Sequence, residues 1–199
     1  MKQQDRKTLF LLTGGGTAGS VTPLLAIAET LRKDRSELQL TWLGTVSGPE
    51  KELVREAGID FKAISSGKLR RYWSVNNFTD LFKILAGFFE ALFFIYQNKP
   101  KLVLSAGSFV SVPVVWAARL FRVPVVIEQL DYRPGLANKL MSLAASEVLV
   151  TFEKSRLDYG SKAIWLGAPI REKFYQVDKT IQAPWHFSQG KPVVLIFGG

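Results

Sequence analysis

Residues Leu9 to Pro23, LFLLTGGGTAGSVTP, decide the fold. An apolar run ends in Gly14, Gly15 and Gly16. After Thr17, Ala18, Gly19 and Ser20 the chain reaches Pro23 and a helical pattern. This order predicts a buried strand feeding a glycine turn at a helix N-terminus. Backbone N–H groups unhindered by Cβ there meet the positive end of a helix dipole, which suits a phosphate or diphosphate. A tight turn without a ligand is the plainer alternative, but three adjacent glycines lose more conformational entropy than such a turn needs.

Outward from this turn, strand and helix patterns alternate. Short apolar strands are expected at Leu9–Thr13, Leu38–Leu43, Asp60–Ala63, Leu102–Ser105, Val123–Ile127, Val148–Thr151 and Ala163–Trp165. They have the β-branched, near-continuous apolar character of parallel strands buried on both faces. Helices are expected at Pro23–Lys33, Pro49–Ala57, Phe78–Gln97, Val112–Phe121, Leu136–Ala144 and Lys154–Tyr159. In the first of these, Leu24, Ile27, Ala28 and Leu31 repeat as one buried face. The fold class is therefore α/β, a doubly wound parallel sheet with right-handed crossovers. Its ligands are expected beyond the C-terminal strand ends, where the glycine turn lies. Residues 1–175 read as this domain, 176–191 as a polar linker, and 192–199 as the first strand of a further domain. A closing strand of the first sheet is the alternative for that last segment.

Composition narrows the chemistry. With 26 basic and 17 acidic residues, the 199-residue chain carries a formal charge of +9, which points to an anionic partner. The basic residues are dispersed, without an arginine-rich helix or an aromatic RNA-binding signature, so nucleic acid is not expected. There is no cysteine and a single histidine, His186, which excludes thiolate and multi-histidine metal sites. No metal or cofactor is expected. The polar start, Met1 to Lys7, does not read as a signal peptide, and a cytoplasmic location is expected.

Gly14, Gly16 and Gly19 satisfy G-x-G-x-x-G, but the second strand ends Trp42-Leu43-Gly44-Thr45, without the acid that would hold a dinucleotide ribose. No Lys-Ser/Thr pair follows the glycines, so a P-loop is excluded.

Six co-linear motifs carry a more specific signal. Gly15 to Pro23 is similar to G-G-T-G-G-H-x-x-P, Trp42–Thr45 to W-L-G-T, and Ser66 to Arg71 to S-G-K/L-L/R-R-R. Lys99 to Pro113 resembles K-P-D-V-V-L-G-x-G-G-Y-V-S-x-P. Val123 to Asp131 with Pro134 to Lys139 resembles I-P-V-V-x-H-E-Q-N followed by P-G-L-A-N-K, and Gly167 to Arg171 resembles G-N-P-V-R. Together they resemble the N-terminal domain of the MurG family. That family adds N-acetylglucosamine from UDP-N-acetylglucosamine to undecaprenyl-diphosphate-linked muramyl-pentapeptide during peptidoglycan synthesis. The resemblance implies the Rossmann-like N-terminal domain of a GT-B glycosyltransferase. Such a domain works at the cytoplasmic membrane face and is inactive without its donor-binding half. A non-catalytic half of a split transferase, and a transferase for another polyprenyl-diphosphate sugar, are the alternatives.

By the same resemblance, Gly15, Gly16, Thr17, Ala18 and Gly19, with Asp131 and Arg171, are expected to meet the donor or diphosphate. Gly107, Ser108, Phe109 and Asn138 are expected to meet the acceptor. The chain departs from the family at Ala18, Ser20, Ala168 and Ser108, and at Glu128, Gln129, Leu130 and Asp131, which stand where the family has H-E-Q-N. Inverting transfer needs a base for the acceptor hydroxyl and dipoles or cations for the leaving diphosphate. Ser20 and Glu128 occupy the candidate catalytic positions. A hydroxyl is a poor base, and Glu128 has an anchoring role as its alternative. For Arg171 the alternative is a surface helix start, and for Asn138 a cap.

Phe78 to Tyr96 has one narrow non-apolar stripe, Asp80, Lys83, Gly87 and Glu90, and is otherwise almost wholly apolar. Leu81 to Tyr96 falls short of the ~20 residues that cross a bilayer. Trp73, Phe78, Leu81, Phe82 and Leu85, with Lys68, Arg70, Arg71, Lys99 and Lys101 flanking, instead read as an interfacial anchor on anionic lipid. A helix buried between sheet and neighbours is the alternative.

Overall fold

The computed structural model of the chain describes residues 8–67 and 76–175. The expectations for Lys68, Arg70, Arg71, Trp73, the Phe78 side chain, the linker and the final strand lie outside the described residues.

Seven strands form one parallel sheet: β1 (Leu9–Thr13), β2 (Gln39–Thr45), β3 (Asp60–Ile64), β4 (Leu102–Ser105), β5 (Val125–Gln129), β6 (Glu147–Val150) and β7 (Ala163–Trp165). Their order is β3-β2-β1-β4-β5-β6-β7. The helices are α1 (Thr22–Asp34), α2 (Glu50–Glu56), α3 (Asn76–Asn98), α4 (Ser111–Leu120) and α5 (Leu136–Ser142). The chain winds outward from β1 through α1 and α2 to β3. It then crosses back along α3 to β4 and winds the other way. The direction in which strands are added therefore reverses between β1 and β4, which pair in parallel with Thr13 beside Ser105.

Side-chain alternation sorts two cores onto the two faces. Leu11, Leu43, Val103, Ile127 and Val148 pack with Ala91, Ile95, Val114 and Met141 of α3, α4 and α5. Leu12, Trp42 and Leu104 pack with Leu24, Leu25, Ala28 and Val54 of α1 and α2. Because both faces are covered, each central strand is apolar throughout, and this makes the strands legible in the sequence.

Boundaries moved where local bonding dictated. β5 begins at Val125 rather than Val123: the Val123 N–H bonds back to the Ala118 carbonyl at 3.0 Å, and Pro124 has no N–H to give. The segment expected as a helix at Lys154–Tyr159 is a 3-10 helix over Glu153–Asp158.

The polar stripe of helix α3 runs beside Ser65, with Asp80 and Gly87 buried and Lys83 and Glu90 exposed. Asp80 is buried and pairs with Lys83 at 3.3 Å, while Glu90 accepts from the Ser65 N–H at 2.6 Å and the Ser65 hydroxyl at 2.8 Å. Gly87 lies where a Cβ would sit 2.0 Å from the Ser65 carbonyl oxygen. Outward it presents Leu81, Phe82, Leu85, Phe89 and Phe93, all large and all exposed. Its inner face is apolar too, with Ala91 and Ile95 in the core, so α3 carries more apolar surface than one buried stripe requires. Among the described residues no helix is long and apolar enough to cross a membrane.

Candidate functional site

A cleft of about 790 Å³ opens at the C-terminal strand ends, over the reversal between β1 and β4. The glycine loop forms one wall, and the loop from Ala106 to Val110 faces it. Thr45, Ser66 and Gly67 close one side, and Leu130, Asp131, Gly135, Ala137 and Asn138 the other. This is the position that open α/β sheets give their ligands.

The glycine loop is shaped from below by Glu50, a residue that the sequence reading passed over. Its carboxylate, fully buried, accepts from the Gly16 N–H at 3.1 Å, the Thr45 N–H at 2.7 Å and the Thr45 hydroxyl. A Cβ on Gly15 would stand 2.2 Å from a Glu50 oxygen, and Gly16 has φ +79°, so both positions require glycine. Trp42 Nε1 donates to the Gly14 carbonyl at 2.9 Å. The loop is thus held before any ligand arrives. Its sequence signal was an acid in the first turn of α2, five residues past Thr45, rather than at the strand end.

Ser20 lines the cleft, and its hydroxyl faces the Gly15 and Thr17 carbonyls, each at 3.1 Å. As donor to its own loop it is a structural clamp there. The 3-10 turn Ala18–Ser20 leads into α1, and the first N–H groups of such a turn have no partner within it.

Across the cleft, the Ser111 hydroxyl donates to the Gly107 carbonyl at 2.8 Å, and Gly107 has φ +96°. Ser108 holds φ +85°, a strained conformation for a side-chain-bearing residue, at a position where the family pattern has glycine. Phe109 lines the same wall.

Gln129 organises the third wall. Its amide nitrogen donates to the carbonyls of Asp131 at 2.8 Å and Arg133 at 3.4 Å. Its oxygen accepts from Asn138 Nδ2 at 2.7 Å and from the Tyr159 hydroxyl at 2.6 Å. A carboxylate could not donate to those two carbonyls, so the amide suits this loop. Burial and the neighbouring Asp158 raise the Tyr159 phenol, which keeps it a donor. Asn138 is left with Oδ1 buried and unpartnered, beside Gly107. An unsatisfied acceptor there can receive a hydroxyl or amide of a ligand.

Three expected residues, Ala18, Glu128 and Arg171, are not among the cleft's lining. Glu128 is buried on the sheet face opposite Gln129, with Oε1 unpartnered. Burial pushes its carboxyl up to about 7, and the Thr151 hydroxyl counteracts in part. Arg171 lies against α1, where Nε meets Glu29 Oε2 at 3.4 Å. Asp131 does line the cleft and is its only charged side chain among the described residues. With no lining cation described, the described walls can meet an anion only through backbone dipoles and neutral donors.

This geometry has known counterparts. The glycosyltransferase family 28 N-terminal domain matches residues 10–150. The chain belongs to that family. Over 192 residues it is 44% identical to the UDP-N-acetylglucosamine–N-acetylmuramyl-(pentapeptide) pyrophosphoryl-undecaprenol N-acetylglucosamine transferase of Clostridium kluyveri, covering 96% of this chain and 54% of the relative. The MurG structure from Acinetobacter baumannii superposes with a TM-score of 0.68 at 28% identity, covering 83% of this chain and 46% of that one. A UDP-GlcNAc 2-epimerase from Methanocaldococcus jannaschii, at 15% identity and a TM-score of 0.61 over 81% of this chain and 45% of that one, shares the fold alone. The MurG resemblance read from the motifs is borne out, and so is the GT-B-type Rossmann-like domain. The family 28 chain described here spans about half the length of the curated relatives it matches.

Proposed function

We propose that this chain is the acceptor- and membrane-facing half of a transferase moving N-acetylglucosamine from UDP-N-acetylglucosamine to undecaprenyl-diphosphate-linked muramyl-pentapeptide. The observation that carries the reading is the pre-braced cleft between two glycine loops, in a chain 44% identical to transferases of that name. The first loop and the start of α1 offer N–H dipoles to a diphosphate, and Asn138 Oδ1 and the Gly107–Phe109 wall receive the acceptor sugar. Transfer draws on the half of the relatives' length that the match does not cover.

The base for the acceptor hydroxyl is Asp131. It is an exposed carboxylate on the cleft wall, opposite a loop whose Ser20 replaces the family histidine and is itself engaged as a donor. Glu128 has a suitable proton affinity but points away from that wall. Arg171, Ala18 and the remaining loop residues act through position, not proton transfer.

The outward apolar face of α3 supports a peripheral seat on the cytoplasmic membrane surface, where a polyprenyl acceptor would be presented. Each phenylalanine withdrawn from water there is worth about 1.5–3 kcal/mol.

The test is transfer of radiolabelled N-acetylglucosamine to lipid-linked muramyl-pentapeptide. It is run with the chain alone and with a fusion to the C-terminal half of the Clostridium kluyveri relative. Activity is expected only in the fusion. A fusion that binds both substrates without transfer rejects the reading, and transfer to a different polyprenyl-diphosphate sugar would redirect it.

A further inference from the structure

At the opposite end of the sheet from the cleft, a second pocket of about 460 Å³ lies between the α3–β4 and α4–β5 turns. Tyr96, Lys99, Lys101, Phe121, Arg122 and Pro124 are among its lining residues. Among the described residues no carboxylate lines it, and none is ion-paired with Lys99, Lys101 or Arg122. The two turns are built alike. Lys99 follows α3 with φ 48° and Arg122 follows α4 with φ 56°, the left-handed position that helix ends normally give to glycine. At both helix ends, then, a long cationic side chain stands where glycine would sit without strain.

Cations at helix C-termini have an ordinary use, since they oppose the negative ends of the helix dipoles. Two such ends amount to about one negative charge in total, against three full positive ones. The pocket keeps a net charge of roughly +2 after both helices are served. It is also continuous with the apolar surface: the Tyr96 and Phe121 rings meet at a tilt with centroids 6.1 Å apart, next to exposed Phe93 and Leu120. Aromatic rings between an apolar face and a cationic recess match the layering of a membrane surface, acyl chain below and phosphate above.

We infer that this pocket binds the phosphate of an anionic phospholipid headgroup, so that the chain lies along α3 with its cleft-distal end pinned to the bilayer. The inference rests on the membrane-docking reading above and adds to it a site, a ligand class and an orientation.

The test uses the full 199-residue chain and vesicles of phosphatidylcholine with or without phosphatidylglycerol. In a Lys99→Gly, Lys101→Gln, Arg122→Gly variant, both glycines enter left-handed positions, so the fold should be kept, and thermal unfolding checks it. Affinity for phosphatidylglycerol vesicles should fall at least about tenfold and lose salt sensitivity, while binding to neutral vesicles is unchanged. A change of less than about twofold on anionic vesicles overturns the headgroup site. Inorganic phosphate alone, shifting the amide signals of residues 99, 101 and 122 as fully as the vesicles do, would make it a soluble-phosphate site and overturn the lipid assignment. A separate Phe89→Glu, Phe93→Glu variant tests the docking reading itself. If it binds neutral vesicles like the parent, docking fails, whatever the cation variant does.

Discussion

Glu50 is the residue on which the cleft's shape depends, although it touches no solvent. Glu50→Ala would strand the Gly16 and Thr45 N–H groups and the Thr45 hydroxyl in a buried space. The expected loss is roughly 3 kcal/mol or more in urea unfolding, and a loss under about 1 kcal/mol would show that water replaces the carboxylate. Glu128 makes the opposite prediction. Its folded value of about 7 lies above the ordinary 4.5 of a free carboxyl, so the folded state holds the proton more tightly than the unfolded chain. The stability this group contributes is complete below about pH 4.5 and is lost as pH rises through 7. The penalty at pH 8 is of order 3 kcal/mol. Glu128→Gln should therefore stabilise the protein at pH 8 and be near neutral at pH 4.5, and equal effects at the two pH values would reject the assignment. The glycines at this scale were legible in the sequence. The partner that demands them was not, because Glu50 reads as an ordinary first-turn acid until the fold turns it inward.

Helix α3 shows how far a pattern reaches at the scale of an element. The sequence contains the stripe of Asp80, Lys83, Gly87 and Glu90 but does not say which way it points. The structure sets Glu90 and Gly87 against Ser65 and leaves Phe82, Phe89 and Phe93 outside. Gly87→Ala separates the two influences on this helix. Propensity alone favours alanine by about 1 kcal/mol, yet its Cβ would meet the Ser65 carbonyl oxygen at 2.0 Å. Net destabilisation of about 1–3 kcal/mol is expected in thermal or urea unfolding. A stabilised variant would mean that the loop does not sit against α3. Phe89→Glu with Phe93→Glu should abolish vesicle binding without lowering the unfolding temperature, since both side chains face water in the free chain.

For the whole molecule, the reversal of strand order between β1 and β4 brings together segments far apart in the chain, as Thr13 and Ser111, 98 residues apart and in contact at 3.3 Å, illustrate. Catalysis is a prediction at this scale, because the proposed base and the proposed diphosphate cradle sit on different loops. In the active fusion, Asp131→Asn should lower kcat by about 10²-fold or more with little change in acceptor KM, as loss of a general base does. Glu128→Gln should cost less than tenfold. The reverse ranking would return the role to Glu128.

The order of strands and helices, their positions to within about two residues, the parallel doubly wound class and the family motifs were determined by the sequence alone. They follow from local periodicity and from short runs of fixed composition, which need no knowledge of distant contacts. Only the tertiary structure decided which of the matched residues share a space. It placed Asp131 and Asn138 on the cleft wall, sent Glu128 to the opposite face of the sheet by one step of strand alternation, and paired Arg171 with Glu29 on α1. Those outcomes depend on side-chain direction at strand ends and on packing between segments far apart in sequence.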